Sequence, residues 1–285
     1  MKKTLLILLL MATARAQESP VAAPTAAPVS QPAEAEQKKI LKEAEAAAPV
    51  SQLTKAGQKK IWKEASAAYY KEKNYARALE LFHQLAAVGH ADAMWSLGLM
   101  YERGHGVALD YATAKRWFEK QVAAGDSTGY WSIGRLYENG GPGLEQNYAT
   151  AKRCYEKSIA AGNRSAYGYW LIGELYRQGG PGLERNYATA KQWYEKTIAA
   201  GDSDGYNQIG YLYKEGGPGI EQNWATAKRW FEKAGDAGNS FGYGFIGWLY
   251  RGGGPGLEKD LEQACRYYQK ASPFYVEEAK KVCPR

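Results

Sequence analysis

With 285 residues, 45% of them hydrophobic, the chain can bury a core and hold one or two ordinary domains. Its formal net charge of +7 is too small a surplus to argue for nucleic-acid binding, and its aromatic share is heavy, with 22 Tyr and 9 Trp. The one long apolar run, Leu5 to Met11, is too short to span a bilayer.

Residues 1–16 read as a secretory leader. Lys2 and Lys3 form the charged start, Thr4 to Thr13 the apolar centre, and Ala14-Arg15-Ala16 the small-x-small cleavage site. The mature chain is expected to begin at Gln17, and losing Lys2, Lys3 and Arg15 lowers the charge from +7 to +4. No cysteine stands near the cut, so no lipid anchor is expected. The expected address is a bacterial periplasm or the cell exterior.

Residues 17–57 are rich in Ala, Pro, Glu, Gln and Ser and read as a disordered tether, because such a composition buries too little surface to offset ordering entropy. The tether contains a duplication, Ala27-Pro28-Val29-Ser30-Gln31 against Ala48-Pro49-Val50-Ser51-Gln52. A short helix is expected over Ala33 to Ala47 of the first copy.

From Gln58 the apolar residues recur at helical spacing, and no period-2 stretch has the length of a strand. Residues 58–90 read as a first helix pair with a tight Lys73-Asn74 loop. A Gly-x-Leu/Met-Tyr marker then recurs at Gly98, Gly134, Gly173, Gly210 and Gly247, in steps of 36, 39, 37 and 37 residues. Each marks a first helix, A. A mid-helix glycine costs about 1 kcal/mol against alanine, so its recurrence predicts close approach of a neighbour.

The second helix of each unit, B, begins at Tyr111, Tyr148, Tyr187, Trp224 and Leu261, after the N-caps Asp110, Asn147, Asn186, Asn223 and Asp260. Gly125, Gly162, Gly201 and Gly238 are the expected left-handed caps at its end. A Gly-Gly-Pro-Gly block between A and B, first at Gly140, reads as a spacer that holds the period. The 13 residues from Pro273 are expected to cap the stack. These features predict an all-α, right-handed solenoid of about six helix-turn-helix repeats, in which each unit touches only its neighbours.

Of three cysteines, Cys154 occupies a slot that is Trp117, Trp193 and Trp230 elsewhere, which leaves Cys265 and Cys283 as the expected disulfide. The separation of 18 residues would stabilise the end of the stack by about 3 kcal/mol. About 9 Å of helix climbs from Cys265 and about 15 Å descends to Cys283, so the bridge requires the tail to bend.

The Gly-x-Leu-Tyr marker, the Gly-rich loop, the Asp/Asn-Tyr-x-x-Ala spacing and the closing Ala-Gly together resemble the Sel1-like repeats, relatives of the tetratricopeptide repeat. The resemblance covers residues 91–272 as five repeats, with 58–90 looking more like a tetratricopeptide unit. Two departures stand out. Later units replace Gly-x-Gly-Val, as in Gly104 to Val107, by Gly-Gly-Pro-Gly, and the one disulfide per unit of the cysteine-rich secreted branch is absent.

No residue is assigned to catalysis, a cofactor or a metal. Gly125-Asp126-Ser127-Thr128-Gly129 matches the nucleophile elbow in letters, but it follows a helix and recurs with the repeat at Gly201 and Gly238, which makes it a turn. There is no Ser-x-x-Lys, so the hydrolase activity described for the cysteine-rich branch is only a distant third expectation. His83, His90 and His105 lack the paired spacing of a zinc site.

The informative positions are those that vary while the scaffold does not. At −3, +1 and +4 from the marker glycine, one helical stripe reads Trp95, Leu99, Glu102; Trp131, Arg135, Glu138; and Trp170, Glu174, Arg177. It continues with Asn207, Tyr211, Lys214 and Gly244, Trp248, Arg251. The resemblance implies that helix A lines a concave groove. The expected function is an exported scaffold, not an enzyme, that binds a protein or peptide through this stripe. A glycan- or peptidoglycan-associated module is the alternative, because stacked Trp and Tyr also suit sugar rings.

Overall fold

The computed structural model describes residues 53–163 and 165–283. The expected leader, its cleavage site, the helix over Ala33 to Ala47 and the tether up to residue 52 lie outside the described residues. Thirteen α-helices follow in chain order among those residues, and no named strand occurs. The A helices are α1 (Lys55–Ala67), α3 (Ala91–Arg103), α5 (Thr128–Asn139), α7 (Ala166–Gln178), α9 (Asp204–Glu215) and α11 (Phe241–Gly252). The B helices are α2 (Tyr75–Ala87), α4 (Tyr111–Ala123), α6 (Tyr148–Ala160), α8 (Tyr187–Ala199), α10 (Trp224–Asp236) and α12 (Leu261–Lys270), with α13 (Val276–Val282) in the tail. Each A packs on its own B and each B on the next A, as a solenoid requires.

The first helix begins at Lys55, inside the stretch expected to be tether, because the Thr54 side chain accepts the Gly57 N–H and opens a turn there. It widens into a π-turn over Ala68–Glu72 and ends at Lys73, the one non-glycine residue with positive φ among those described. The B helices start as their caps dictate. Asp110, Asn147, Asn186, Asn223 and Asp260 each accept the backbone N–H three residues on. Four of them stop at Gly125, Gly162, Gly201 and Gly238, with φ between +89° and +99°, and α12 stops at Ala271.

The marker glycines are explained by rings rather than by backbones. A methyl on Gly134, Gly173 or Gly210 would stand 2.5 Å from the ring of Tyr155, Tyr194 or Phe231, on the B helix of the same pair. Phe118 and Tyr268 fill the same place over Gly98 and Gly247. Phe118, Tyr155, Tyr194 and Phe231 are almost fully buried and form the centre of each unit.

The Gly-Gly-Pro-Gly blocks do more than space two helices, which corrects the reading from recurrence alone. Within each, Gly141 and Leu144 exchange backbone hydrogen bonds around Pro142-Gly143, with Gly143 at φ +78°, the arrangement of a type II turn. The Pro142 carbonyl then accepts the N–H of Tyr111, the first residue of the preceding B helix, at 2.8 Å. The same bond joins Tyr148 to Pro181, Tyr187 to Pro218 and Trp224 to Pro255, each at 2.8 Å. Gly141, Gly180 and Gly217 also lie under the rings of Tyr111, Tyr148 and Tyr187, where no Cβ fits. Each block is therefore a clasp on the unit before it.

At the far end, a 3-10 turn over Pro273–Tyr275 reverses the chain, and Tyr275 stacks on Tyr268 with ring centres 5.8 Å apart. That bend brings Cys283 back to Cys265. The two form a disulfide with Cα atoms 5.0 Å apart. Cys154 is a free, half-buried thiol whose pKa burial raises.

Candidate partner-binding groove

The stripe residues are placed by the A helices, and the structure ties most of them to one another. Glu102 is buried and forms a 2.6 Å ion pair with Arg135 of the next A helix, whose guanidinium also lies 5.1 Å from the Trp131 ring centre. Glu138 accepts the Tyr155 hydroxyl at 2.5 Å. Glu174 is buried, pairs with Arg177 at 2.7 Å and accepts the Tyr194 hydroxyl at 2.5 Å. Lys214 stands 4.6 Å from the Trp248 ring centre and 5.8 Å from that of Tyr211, and Arg251 pairs with Glu278 of the tail helix. Trp95 and Leu99 belong to the first core cluster, and Tyr211 packs on Phe231 and Phe245. Trp248 is the exposed ring of the stripe.

These contacts form a ladder of compensated charge. The acid-to-base order at +4 therefore leaves little net field, because Glu102, Arg177 and Arg251 are each matched by an opposite charge. Burial pushes the pKa of Glu102 and of Glu138 above the ordinary carboxylate value. Burial and the neighbouring carboxylate raise the Tyr155 and Tyr194 hydroxyls well above theirs. His83 lies against Trp117 away from the stripe, and burial pushes it down to about 4. Among the described residues no group of His, Cys, Asp or Glu has the arrangement of a metal site.

A raised carboxylate pKa means that the fold penalises the charged form, and the penalty vanishes below the unfolded-state value near 4.5. Glu138→Gln keeps an acceptor for Tyr155. It is expected to raise the urea midpoint at pH 7 and to leave it unchanged at pH 3.5, and a lower midpoint at pH 7 would contradict this account.

Tyr155 and Tyr194 escaped the sequence reading, although a signal was present. The signal is partial: the hydroxyls of Tyr155 and Tyr194 each reach a glutamate of their own A helix, whereas Phe118 faces a helix whose Glu102 is taken by Arg135, and Phe231 stands where the stripe offers Tyr211 and Lys214.

Trp131 and Trp170 each bury an indole N–H, and Asn207 its amide oxygen, with no hydrogen-bond partner among the described residues. All three hold the −3 position, in consecutive units. An unmet buried polar group costs about 1–3 kcal/mol, which is rarely tolerated three times in a row without purpose.

Beside Trp131 the stack opens. The turn from Gly162 to Gly173 is two residues longer than its counterparts from Gly125 to Gly134 and Gly201 to Gly210. Elsewhere a small residue clamps the seam: a Cβ at Gly129 or Gly205 would stand 2.7 or 2.6 Å from the carbonyl oxygen of Phe118 or Tyr194. Gly168, at the same position, has Ile159 at 3.3 Å and no backbone in contact. The looser seam leaves a cavity of about 230 Å³, lined chiefly by Trp131, Tyr155, Ile159, Tyr167 and Gly168 with Thr128, Ser158, Asn163 and Ser165 at its polar edge. The Tyr167 ring stacks on Trp170, 5.5 Å away.

The Gly-x-Ser-x-Gly triplets lie in helix-helix turns, where Asp126 accepts the Thr128 N–H and Asp202 the Asp204 N–H. No described helix is long and apolar enough to cross a membrane.

Comparison with known proteins agrees with this architecture. The Sel1 repeat model matches residues 68–90, 91–126, 127–163, 166–202, 203–239 and 241–272. A protective antigen of uropathogenic Escherichia coli with an SLR fold is 25% identical, with a TM-score of 0.58 over 85% of this chain; this chain spans 50% of that one. A Sel1 repeat protein from Oxalobacter formigenes is 26% identical, with a TM-score of 0.52 over 77% of this chain and 86% of that one. The C-terminal part of a TPR repeat-containing protein from Cytophaga hutchinsonii, 19% identical, shares the fold with a TM-score of 0.52, over 77% of this chain and 81% of that one. No curated protein matches. Sel1 repeats form a scaffold for protein interactions, and the six matches in register show that this chain belongs to the Sel1 repeat family.

Proposed function

We propose that the protein is an exported, non-catalytic scaffold that binds a protein or peptide partner along the A-helix stripe, in a bacterial periplasm or outside the cell. The cavity beside Trp131 carries this reading, because an apolar cavity of about 150 Å³ already accepts a benzene ring. A partner would place one apolar side chain in it, against the Trp131 and Tyr167 rings. Aromatic anchors in desolvated pockets are where interfaces concentrate their energy. Trp131, Trp170 and Trp248 are the anchors of the proposal, with Arg135, Glu138, Glu174, Lys214 and Arg251 as the polar surround.

A photo-crosslinking residue at Thr128, on the cavity edge, is expected to trap a partner in the producing cells on a chain that begins at Gln17. Filling the cavity by Gly168→Leu or Ile159→Trp is expected to cut that yield about tenfold, the effect of roughly 1.4 kcal/mol. A yield that neither variant reduces excludes the cavity, and a trapped chain that retains residues 1–16 excludes the export.

A further inference from the structure

The net charge of this chain sits on one helix of each pair. The six B helices together contain fourteen Lys and Arg against seven Asp and Glu, a surplus of seven. That equals the whole formal charge of +7, so the other residues balance at 23 of each sign. On four B helices the acid is already used: Lys115–Glu119, Lys152–Glu156, Lys191–Glu195 and Lys228–Glu232 are ion pairs of 2.6 to 3.0 Å. Beside them Arg116, Arg153, Arg229, Lys120, Lys196 and Lys233 are exposed and form no ion pair among the described residues.

The lysines are not isolated charges. Lys120, Lys196 and Lys233 hold their ammonium groups 4.0, 3.6 and 4.2 Å from the ring centres of Trp117, Trp193 and Trp230. Neighbouring rungs touch: Lys191 reaches the Trp230 ring at 5.9 Å, and the Tyr267 hydroxyl donates to Glu232 at 2.7 Å. At the C-terminal end the row runs into a hollow of about 320 Å³ lined by Gln263, Arg266, Tyr267, Gln269 and Lys270.

We propose that the outward face of the B helices is a docking surface for a linear acidic polysaccharide. A periodic row of cations calls for a periodic ligand, which the scattered carboxylates of a folded protein do not supply. On α4, α8 and α10 the rung pairs a half-buried indole with an ammonium, so the C–H face of a sugar rests on the ring edge while its anionic substituent takes the lysine; Cys154 interrupts the rings on α6, and Tyr267 with Lys270 continues them on α12. The amides and phenol of the terminal hollow complement sugar hydroxyls. This surface lies on the other helix of each pair from the groove, and it stands whether or not the groove takes a peptide.

Binding of fluorescein-labelled heparin to the full chain, followed by anisotropy, tests it. Saturable binding at 50 mM salt is expected, weakening steeply by 300 mM as screening grows. The triple variants K120E/K196E/K233E and R116E/R153E/R229E should each weaken it at least tenfold while circular dichroism stays native. K59E/K60E/K63E on the exposed side of α1 makes the same change in net charge and should stay within twofold. No binding, or equal loss from the α1 control, overturns the proposal. So does equally tight binding of oligo(dT) or poly-glutamate, which would reduce the surface to bare charge.

Discussion

Gly179→Ala is expected to destabilise the protein by about 3 kcal/mol and to loosen the unit before the one it alters. Gly179 ends α7 with φ +63° and ψ 162°, a region that is essentially glycine-only and costs about 1–3 kcal/mol for other residues. A methyl there would also stand 2.7 Å from the backbone nitrogen of Arg185, which a side-chain rotation does not relieve. The clasp that follows holds the Tyr148 amide through the Pro181 carbonyl and seats Gly180 under the Tyr148 ring. Hydrogen exchange of the Tyr148 amide should therefore accelerate along with the fall in the urea midpoint. Gly201→Ala is the internal control, since Gly201 has φ +91° and nothing within 4 Å of a new methyl. Its cost should be the left-handed penalty alone, about 1–2 kcal/mol. Equal costs at the two sites, or a Tyr148 amide that stays protected, would show that the block is only a spacer.

That contrast marks where the sequence was informative. The Asp and Asn caps and the left-handed glycines are local signals, because each is decided within one turn of the chain, while the period and the marker glycines are read from recurrence, and all appear where the spacing placed them. The clasp is not local. Tyr111 meets Pro142 across a whole unit, and residues nearly identical in every copy carry no sign of which neighbour they hold. The Lys55 start was hidden for a related reason, since one Thr54 cap overrides a composition averaged over forty residues. The cavity was legible in principle: the 39-residue step names the loosened seam, although only the packing of Gly168 reveals that the extra length opens space rather than extending a loop. The stripe was found as positions, but its chemistry depended on Tyr155, Tyr194 and Glu278, which lie on other helices.

The ladder itself supplies the second large effect. Glu174 accepts from the Tyr194 hydroxyl and from Arg177 Nε and Nη2, at 2.5 to 3.1 Å, with its side chain almost wholly buried. Glu174→Ala leaves the buried Tyr194 phenol and the half-buried Arg177 guanidinium without their acceptor and is expected to cost about 3 kcal/mol, the low end of the range for removing one partner of a buried pair. Removing the whole constellation differs in kind. Glu174→Leu with Arg177→Leu and Tyr194→Phe leaves no unmet group and should recover most of the loss, since buried ion pairs gain little over well-packed apolar residues. Urea unfolding of the single and triple variants decides it: a single variant within about 1 kcal/mol of the parent, or a triple variant no more stable than the single, would refute a desolvated pair. The triple variant also separates two roles that any single substitution confounds. If it folds and still traps the partner from Thr128, the charges at +1 and +4 hold the scaffold and the aromatic positions recognise. If it folds and traps nothing, Glu174 and Arg177 belong to the partner as well as to the fold.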